Sequence, residues 1–232
     1  MTRLNGPHLP PAMGNGKHLV IMLHGFGADG ADLISLAPFF QQQLPDTIFH
    51  SPNGPQACEL SPLGRQWFSL AKYDSEYLRR NTATQDIAFE AMYDGALEAA
   101  PIIESYIDDL MSQYKLSRQN VILMGFSQGT MMALHVGLRQ QTPFAGIIGF
   151  SGALVGASHL KRELTSPCPI LLIHGEADEM LPVHAVDLAA QGLQNVNLTP
   201  TVLKRPALPH SIDEEGALAA ALFMKEQLNE QA

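Results

Sequence analysis

The chain has 232 residues, 46% of them hydrophobic and 16% charged, with a formal charge of −9. That is ample apolar material for a core and too little charge for a disordered chain. The acidic balance argues against a nucleic-acid partner and against electrostatic docking on an anionic membrane, and no run reaches the roughly 18 apolar residues of a membrane span.

Residues 1–17 are rich in Pro and Gly and carry no clear pattern. They lack the apolar stretch of about 7–15 residues that a secretory signal needs, so the expected address is the cytoplasm. Cys58 and Cys168 agree with it, being far apart and without metal-ligand spacing, as unpaired thiols in a reducing compartment would be. One domain spanning 1–232 is the expected organisation.

Apolar, strand-like runs then alternate with helix-like segments. The runs are 18–24, 47–51, 120–126, 144–151, 170–174 and 199–203. Several are almost continuous in Val, Ile and Leu, the pattern of parallel strands covered on both faces. Between them, 51–84 is a long connection rich in Pro, Gly and Ser that holds the only Trp. A loop of that length is uncommon without a function. Ile103, Tyr106, Ile107, Leu110 and Tyr114 recur at helical spacing, which predicts a helix over 101–115 with Pro101 as its first residue or a kink. Residues 127–139 are apolar nearly all round, as in a helix buried on a sheet. Only about 18 residues separate the runs 144–151 and 170–174, too few for a lid domain on the scale of domain sizes. His184 is expected to open the next helix. Ser211-Ile212-Asp213-Glu214 has capping-box spacing, which predicts a last helix starting just after His210. The whole reads as an α/β fold: a mostly parallel central sheet, helices on both faces and no separate lid.

Gly125-Phe126-Ser127-Gln128-Gly129 is a G-x-S-x-G match. Alone it is weak, arising by chance in about a tenth of such sequences. Here a buried strand precedes it and a buried helix follows, the strand–turn–helix setting that exposes a nucleophilic serine. Leu23-His24-Gly25-Phe26-Gly27-Ala28-Asp29-Gly30 follows an earlier strand and can aim backbone N–H groups at a developing oxyanion. The Gly-Lys-Ser/Thr ending of a phosphate loop is absent. The second oxyanion donor is expected from the N–H of Gln128. In this fold class the acid and then the histidine follow the serine. Asp178, in the loop after 170–174, is the expected acid, with Glu176 and Glu179 as rivals. Of nine histidines only His184 and His210 lie beyond it, and His210 falls on a loop at the same sheet edge.

Taken together, Leu23-His24-Gly25-Phe26-Gly27, Gly125-Phe126-Ser127-Gln128-Gly129, His174-Gly175-Glu176-Ala177-Asp178 and Pro209-His210 resemble the phospholipase/carboxylesterase family of α/β-hydrolases, which includes the acyl-protein thioesterases. The resemblance covers nearly the whole chain. It implies a cytosolic serine hydrolase with the triad Ser127, Asp178 and His210, oxyanion donors at the N–H groups of Phe26 and Gln128, no metal, no cofactor, a hydrophobic acyl channel and often a homodimer. The substrate would be a small-molecule ester or acyl thioester. Trp67, Phe68 and Leu181 are the candidate substrate contacts, although Trp67 could equally anchor its loop. Three positions depart from the family pattern: Ser69 where an Asp is usual, Ala28-Asp29 where Asp-Thr or Asp-Ser is common, and Thr130 where Gly or Ala is common. The expected activity is hydrolysis of short to medium acyl esters through an acyl-serine, the alternatives being an acyl-protein thioesterase, a lysophospholipase, or a binding protein on a hydrolase scaffold.

Overall fold

The structure is a computed structural model that describes residues 3–229; the ends of the expected 1–232 domain and of its 1–17 segment lie outside that range. Seven strands form one sheet: β1 (His8–Leu9), β2 (His18–Leu23), β3 (Thr47–His50), β6 (Val121–Phe126), β7 (Gly146–Phe150), β8 (Ile170–Gly175) and β9 (Thr201–Arg205), while β4 (Gln56–Ala57) and β5 (Arg65–Gln66) pair separately. Each expected run contains a strand: the first four are trimmed by a residue or two at their ends, 170–174 extends to Gly175, and 199–203 shifts two residues on, to Thr201–Arg205. The alternation of side chains along a strand explains the continuous apolar runs. Leu19, Ile21 and Leu23 of β2 enter one core and Val20 and Met22 the other; Val121 and Leu123 of β6 part from Ile122 and Met124 in the same way.

The sheet order is β1-β3-β2-β6-β7-β8-β9, with only β1 antiparallel to its neighbour. From β2 the chain goes outward to β3 and returns to place β6 on β2's other side. That reversal makes the carboxyl ends of β2 and β6 the switch point where a crevice opens in such sheets. Both glycine-containing motifs leave the sheet there.

Helices α1 (Gly30–Ile34), α2 (Ala37–Gln41) and α9 (Glu214–Asn229) cover one face; α4 (Gln85–Ala91), α5 (Tyr93–Tyr114), α6 (Gln128–Gly137), α7 (Ala157–Glu163) and α8 (His184–Gln194) cover the other. Helix α5 starts eight residues before Pro101. Its extra turns bury Ala96, Ala99 and Ala100, small side chains that leave a weak periodic signal. Pro101 is exposed, so the Leu97 carbonyl it leaves without a donor can take water instead. Helix α9 begins at Glu214, not just after His210, because Asp213 rather than Ser211 caps it: its Oδ1 accepts the Gly216 N–H at 2.8 Å. The long connection is not structureless. It holds the β4–β5 hairpin, helix α3 (Leu70–Tyr73) and a buried Asp74–Arg79 ion pair.

Two buried histidines tie stability to pH. His50 on β3 hydrogen-bonds the Tyr106 hydroxyl at 3.0 Å and the Tyr114 hydroxyl at 2.9 Å, joining the sheet to α5. Burial, with help from nearby His8, pushes its pKa down to about 4. His135 on α6 has no partner for Nδ1 among the described residues, and burial, then the Arg139 charge, push it down to about 3. Both folded values lie below the ordinary 6.5, so the unfolded chain takes up protons first as pH falls. Their contribution is full above about pH 6.5 and is lost progressively towards the folded values, at up to about 1.4 kcal/mol per pH unit for each. Thermal melts should show Tm falling from pH 7 to pH 5, and His135→Leu should flatten that fall. An identical slope in the variant would remove His135 from the account.

Candidate active site

The turn between β6 and α6 holds Ser127 at φ +53°, ψ −116°, a strained conformation for a residue with a side chain. Its N–H donates to the Phe150 carbonyl at 2.9 Å, and its carbonyl accepts the Thr130 N–H at 3.0 Å. The flanking glycines make the turn sterically possible. A Cβ on Gly125 would lie 2.3 Å from the Gly129 carbonyl, and one on Gly129 would lie 1.8 Å from the Leu23 oxygen. Strand, turn and helix therefore meet backbone to backbone, leaving Ser127 half-buried at the rim. Its hydroxyl has no hydrogen-bond partner among the described residues.

The loop after β2 is held by His24. Its Nε2 accepts the Gly54 N–H at 2.8 Å, so Nδ1 must carry the proton and donate to the Gly25 carbonyl at 2.8 Å. Burial lowers the pKa of His24 and keeps it neutral in this role. The Gly25 carbonyl also accepts the Ala28 N–H at 3.2 Å. That carbonyl shares a peptide plane with the Phe26 N–H. Two donors on the oxygen thus turn the Phe26 N–H the opposite way, and it has no acceptor among the described residues. The Gln128 N–H, first in α6, has none either.

Asp178 and His210 come together because their loops are laced to each other. Beyond the β8–β9 ladder, Glu176 N–H bonds to the Arg205 carbonyl at 2.9 Å and Ala177 N–H to the Leu208 carbonyl at 3.0 Å. Nδ1 of His210 then meets Oδ2 of Asp178 at 2.7 Å. The other carboxylate oxygen accepts the N–H groups of Met180 at 2.9 Å and Leu181 at 2.8 Å. Burial by itself would raise the pKa of Asp178. The His174 ring 3.4 Å away, the His210 hydrogen bond and the Leu181 N–H together outweigh burial and hold it well below the carboxylate range. The His210 ring packs on Phe126, with centroids 4.8 Å apart, so it stands beside the Ser127 turn. Its Nε2 edge carries no hydrogen bond among the described residues. Glu176 and Glu179 are exposed, and His184 opens α8.

Trp67, Phe68 and Leu181 need correction as substrate contacts. They expose 0%, 1% and 2% of their surfaces and lie in the core beneath the site. Trp67 anchors its loop, donating Nε1–H to the His24 carbonyl at 2.9 Å. The Gln128 side chain completes the anchor, which the sequence reading missed because it assigned Gln128 only a backbone role. Its Oε1 accepts the Trp67 N–H at 3.0 Å, and its Nε2 donates to the Phe68 carbonyl at 2.8 Å. The open cleft lies elsewhere: a cavity of about 280 Å³ runs beside His210, walled by α1, Phe126, Ser211 and Ile212.

The chain matches the family described as Phospholipase/Carboxylesterase over residues 11–228. It belongs to that family. The crystal structure of esterase PE8 resembles it with a TM-score of 0.88 at 38% identity, covering 98% of this chain and 100% of its own. Acyl-protein thioesterase 1 of Gibberella zeae is 26% identical over 96% of this chain and 95% of its own length. A protein of Oryza sativa named "Probable carboxylesterase" is 26% identical over 97% and 84%.

Local chemistry accounts for the three departures from the phospholipase/carboxylesterase pattern. Ser69 caps α3 by accepting the Lys72 N–H at 3.0 Å, as the usual Asp could. Asp29 caps α1 through the Ala31 N–H at 2.9 Å. The Thr130 hydroxyl reaches the carbonyls of Gly125 and Phe150, each at 2.9 Å, tying the turn to β7. Gly152 makes room for it, since a Cβ there would lie 2.2 Å from the Thr130 Cβ.

Proposed function

We propose that this protein is a serine carboxylesterase that hydrolyses short to medium acyl esters through an acyl-Ser127 intermediate. The observation that carries the reading is the 2.7 Å bond from His210 Nδ1 to Asp178 Oδ2 beside the Ser127 turn. With Nδ1 donating to a carboxylate held ionised, Nε2 is the basic nitrogen. The Ser127 hydroxyl, without another partner among the described residues, turns to that nitrogen, gives up its proton and attacks the acyl carbon. Negative charge collects on the carbonyl oxygen between the N–H groups of Phe26 and Gln128, each donor contributing about 3–4 kcal/mol to the transition state. The imidazolium, stabilised by Asp178, protonates the departing alcohol. Water then enters, loses a proton to His210 and releases the acid from Ser127.

The cavity beside His210, about 280 Å³, falls just below the roughly 300–1,000 Å³ of small-molecule pockets, which supports small substrates. Two unpaired, buried thiols and the acidic charge support a cytoplasmic enzyme. No described helix is long and apolar enough to cross a membrane. The family resemblance implies a homodimer, and a dimer is the assembly we expect.

The name of the Gibberella zeae relative favours a second reading, acyl-protein thioesterase activity. A fluorophosphonate probe should label the pure protein once, and peptide mapping should place the label on Ser127. A panel of aryl esters from acetate to palmitate, beside a palmitoyl thioester and a lysophospholipid, should give the highest kcat/KM at two to six carbons. A label elsewhere would reject the mechanism; a preference for the palmitoyl thioester would select the second reading.

A further inference from the structure

The cleft beside His210 has a charge character that the catalytic reading does not use. Its walls combine apolar Leu33, Leu36, Phe126 and Ile212 with the hydroxyls of Ser35 and Ser211 and one carboxylate, Asp32. Among the described residues, no Lys or Arg lines it. Asp32 sits in the first turn of α1, and no side-chain hydrogen bond or ion pair among the described residues engages its carboxylate. Asp32 and His210 line the same cavity, so the carboxylate shares the space beside the imidazole.

We infer that this cleft selects substrates by charge, accepting esters whose group beside His210 is neutral or cationic and turning away those with an anionic group. This rests on the carboxylesterase reading above and names the substrate class of the same site. Asp32 is exposed on the cleft wall, so it acts on a bound group through solvent-screened attraction or repulsion, while the apolar walls contact the rest of that group. An anionic group loses hydration there and finds no cation, whereas a quaternary ammonium or an alkyl group meets apolar contact and, if charged, attraction. Phosphate-bearing leaving groups, including those of nucleotide-linked thioesters, fall on the disfavoured side.

The test uses the full chain and isosteric ester pairs. Choline, 3,3-dimethylbutyl and 3-carboxypropyl butyrates vary the alcohol end; a second series with a shared alcohol carries the same cationic, neutral and anionic groups on the acyl end. At low salt, kcat/KM in at least one series should rank cationic and neutral above anionic, the cationic-to-anionic ratio being about tenfold or more. Asp32→Asn should cut that ratio about three- to tenfold, and 0.5 M NaCl should compress it in the unmodified protein. Ser35→Arg should raise the anionic ester relative to the neutral one. Because each readout is a ratio, a general loss of activity in a variant does not imitate the effect. A ratio unmoved by Asp32→Asn and by salt in both series overturns the inference, as does an anionic preference. Ser127→Ala is the separate control: if it hydrolyses all these esters, the catalytic reading fails whatever the ranking by charge.

Discussion

Ser127→Ala is expected to lower kcat on short aryl esters by about 10⁶-fold, with the fold intact. The alanine methyl fits where the serine side chain stood, and the hydroxyl it removes makes no hydrogen bond among the described residues, so nothing in the structure should relax. Asp178→Asn should cost less, about 10⁴-fold, since the amide can hold His210 in place but favours the wrong tautomer. It should also destabilise the acid loop. The carboxylate that accepts the N–H groups of Met180 and Leu181 is held well below the usual carboxylate pKa. With the folded value below the unfolded one, Asp178 stabilises the fold above about pH 4, an advantage lost as pH falls through its folded pKa. Steady-state kinetics and melting curves on both variants check the pair. Comparable activity in Ser127→Ala and the parent, with contamination excluded by active-site titration, would end the serine mechanism.

Gly129→Ala is the second large effect and acts on the fold itself. The added Cβ would lie 1.8 Å from the Leu23 oxygen and 2.8 Å from the His24 oxygen, both backbone atoms at the end of β2. No side chain can swing aside, so α6 must move from the sheet or the β2 loop must shift. Overpacking of a core commonly costs about 1–3 kcal/mol, and contact with backbone puts this case at or above that range. Denaturant titration should show ΔG lowered by at least about 2 kcal/mol, and the soluble remainder should be nearly inactive because the Phe26 and Ser127 segments part. Gly14 provides the contrast. A Cβ there meets nothing within 4 Å, but its φ of +69° still strains a side chain, so Gly14→Ala should cost only about 1 kcal/mol. Equal stability of Gly129→Ala and the parent would mean that the strand–turn–helix contact is looser than these distances imply.

The sequence by itself determined the parts of this protein that depend on short-range pattern. Continuous apolar runs announced strands covered on both faces, and Gly125-Phe126-Ser127-Gln128-Gly129 announced a turn that only two glycines permit. The order of serine, acid and histidine narrowed nine histidines to His184 and His210, and the loop position pointed to His210. Where the local signal was weak, so was the reading: the alanine-rich first turns of α5 and the cap of α9 at Asp213 were misplaced. Only the tertiary structure decided what distant segments do to one another. It buried Trp67, Phe68 and Leu181 beneath the site, made the Gln128 amide a clasp for the long loop, fixed the tautomer of His24 through Gly54, and put Asp32 on the wall of the cleft. The reason is physical. Periodicity reports which side of its own element a residue faces, whereas a hydrogen bond across 61 positions, such as that from Trp67 to Gln128, depends on where the whole sheet carries both ends.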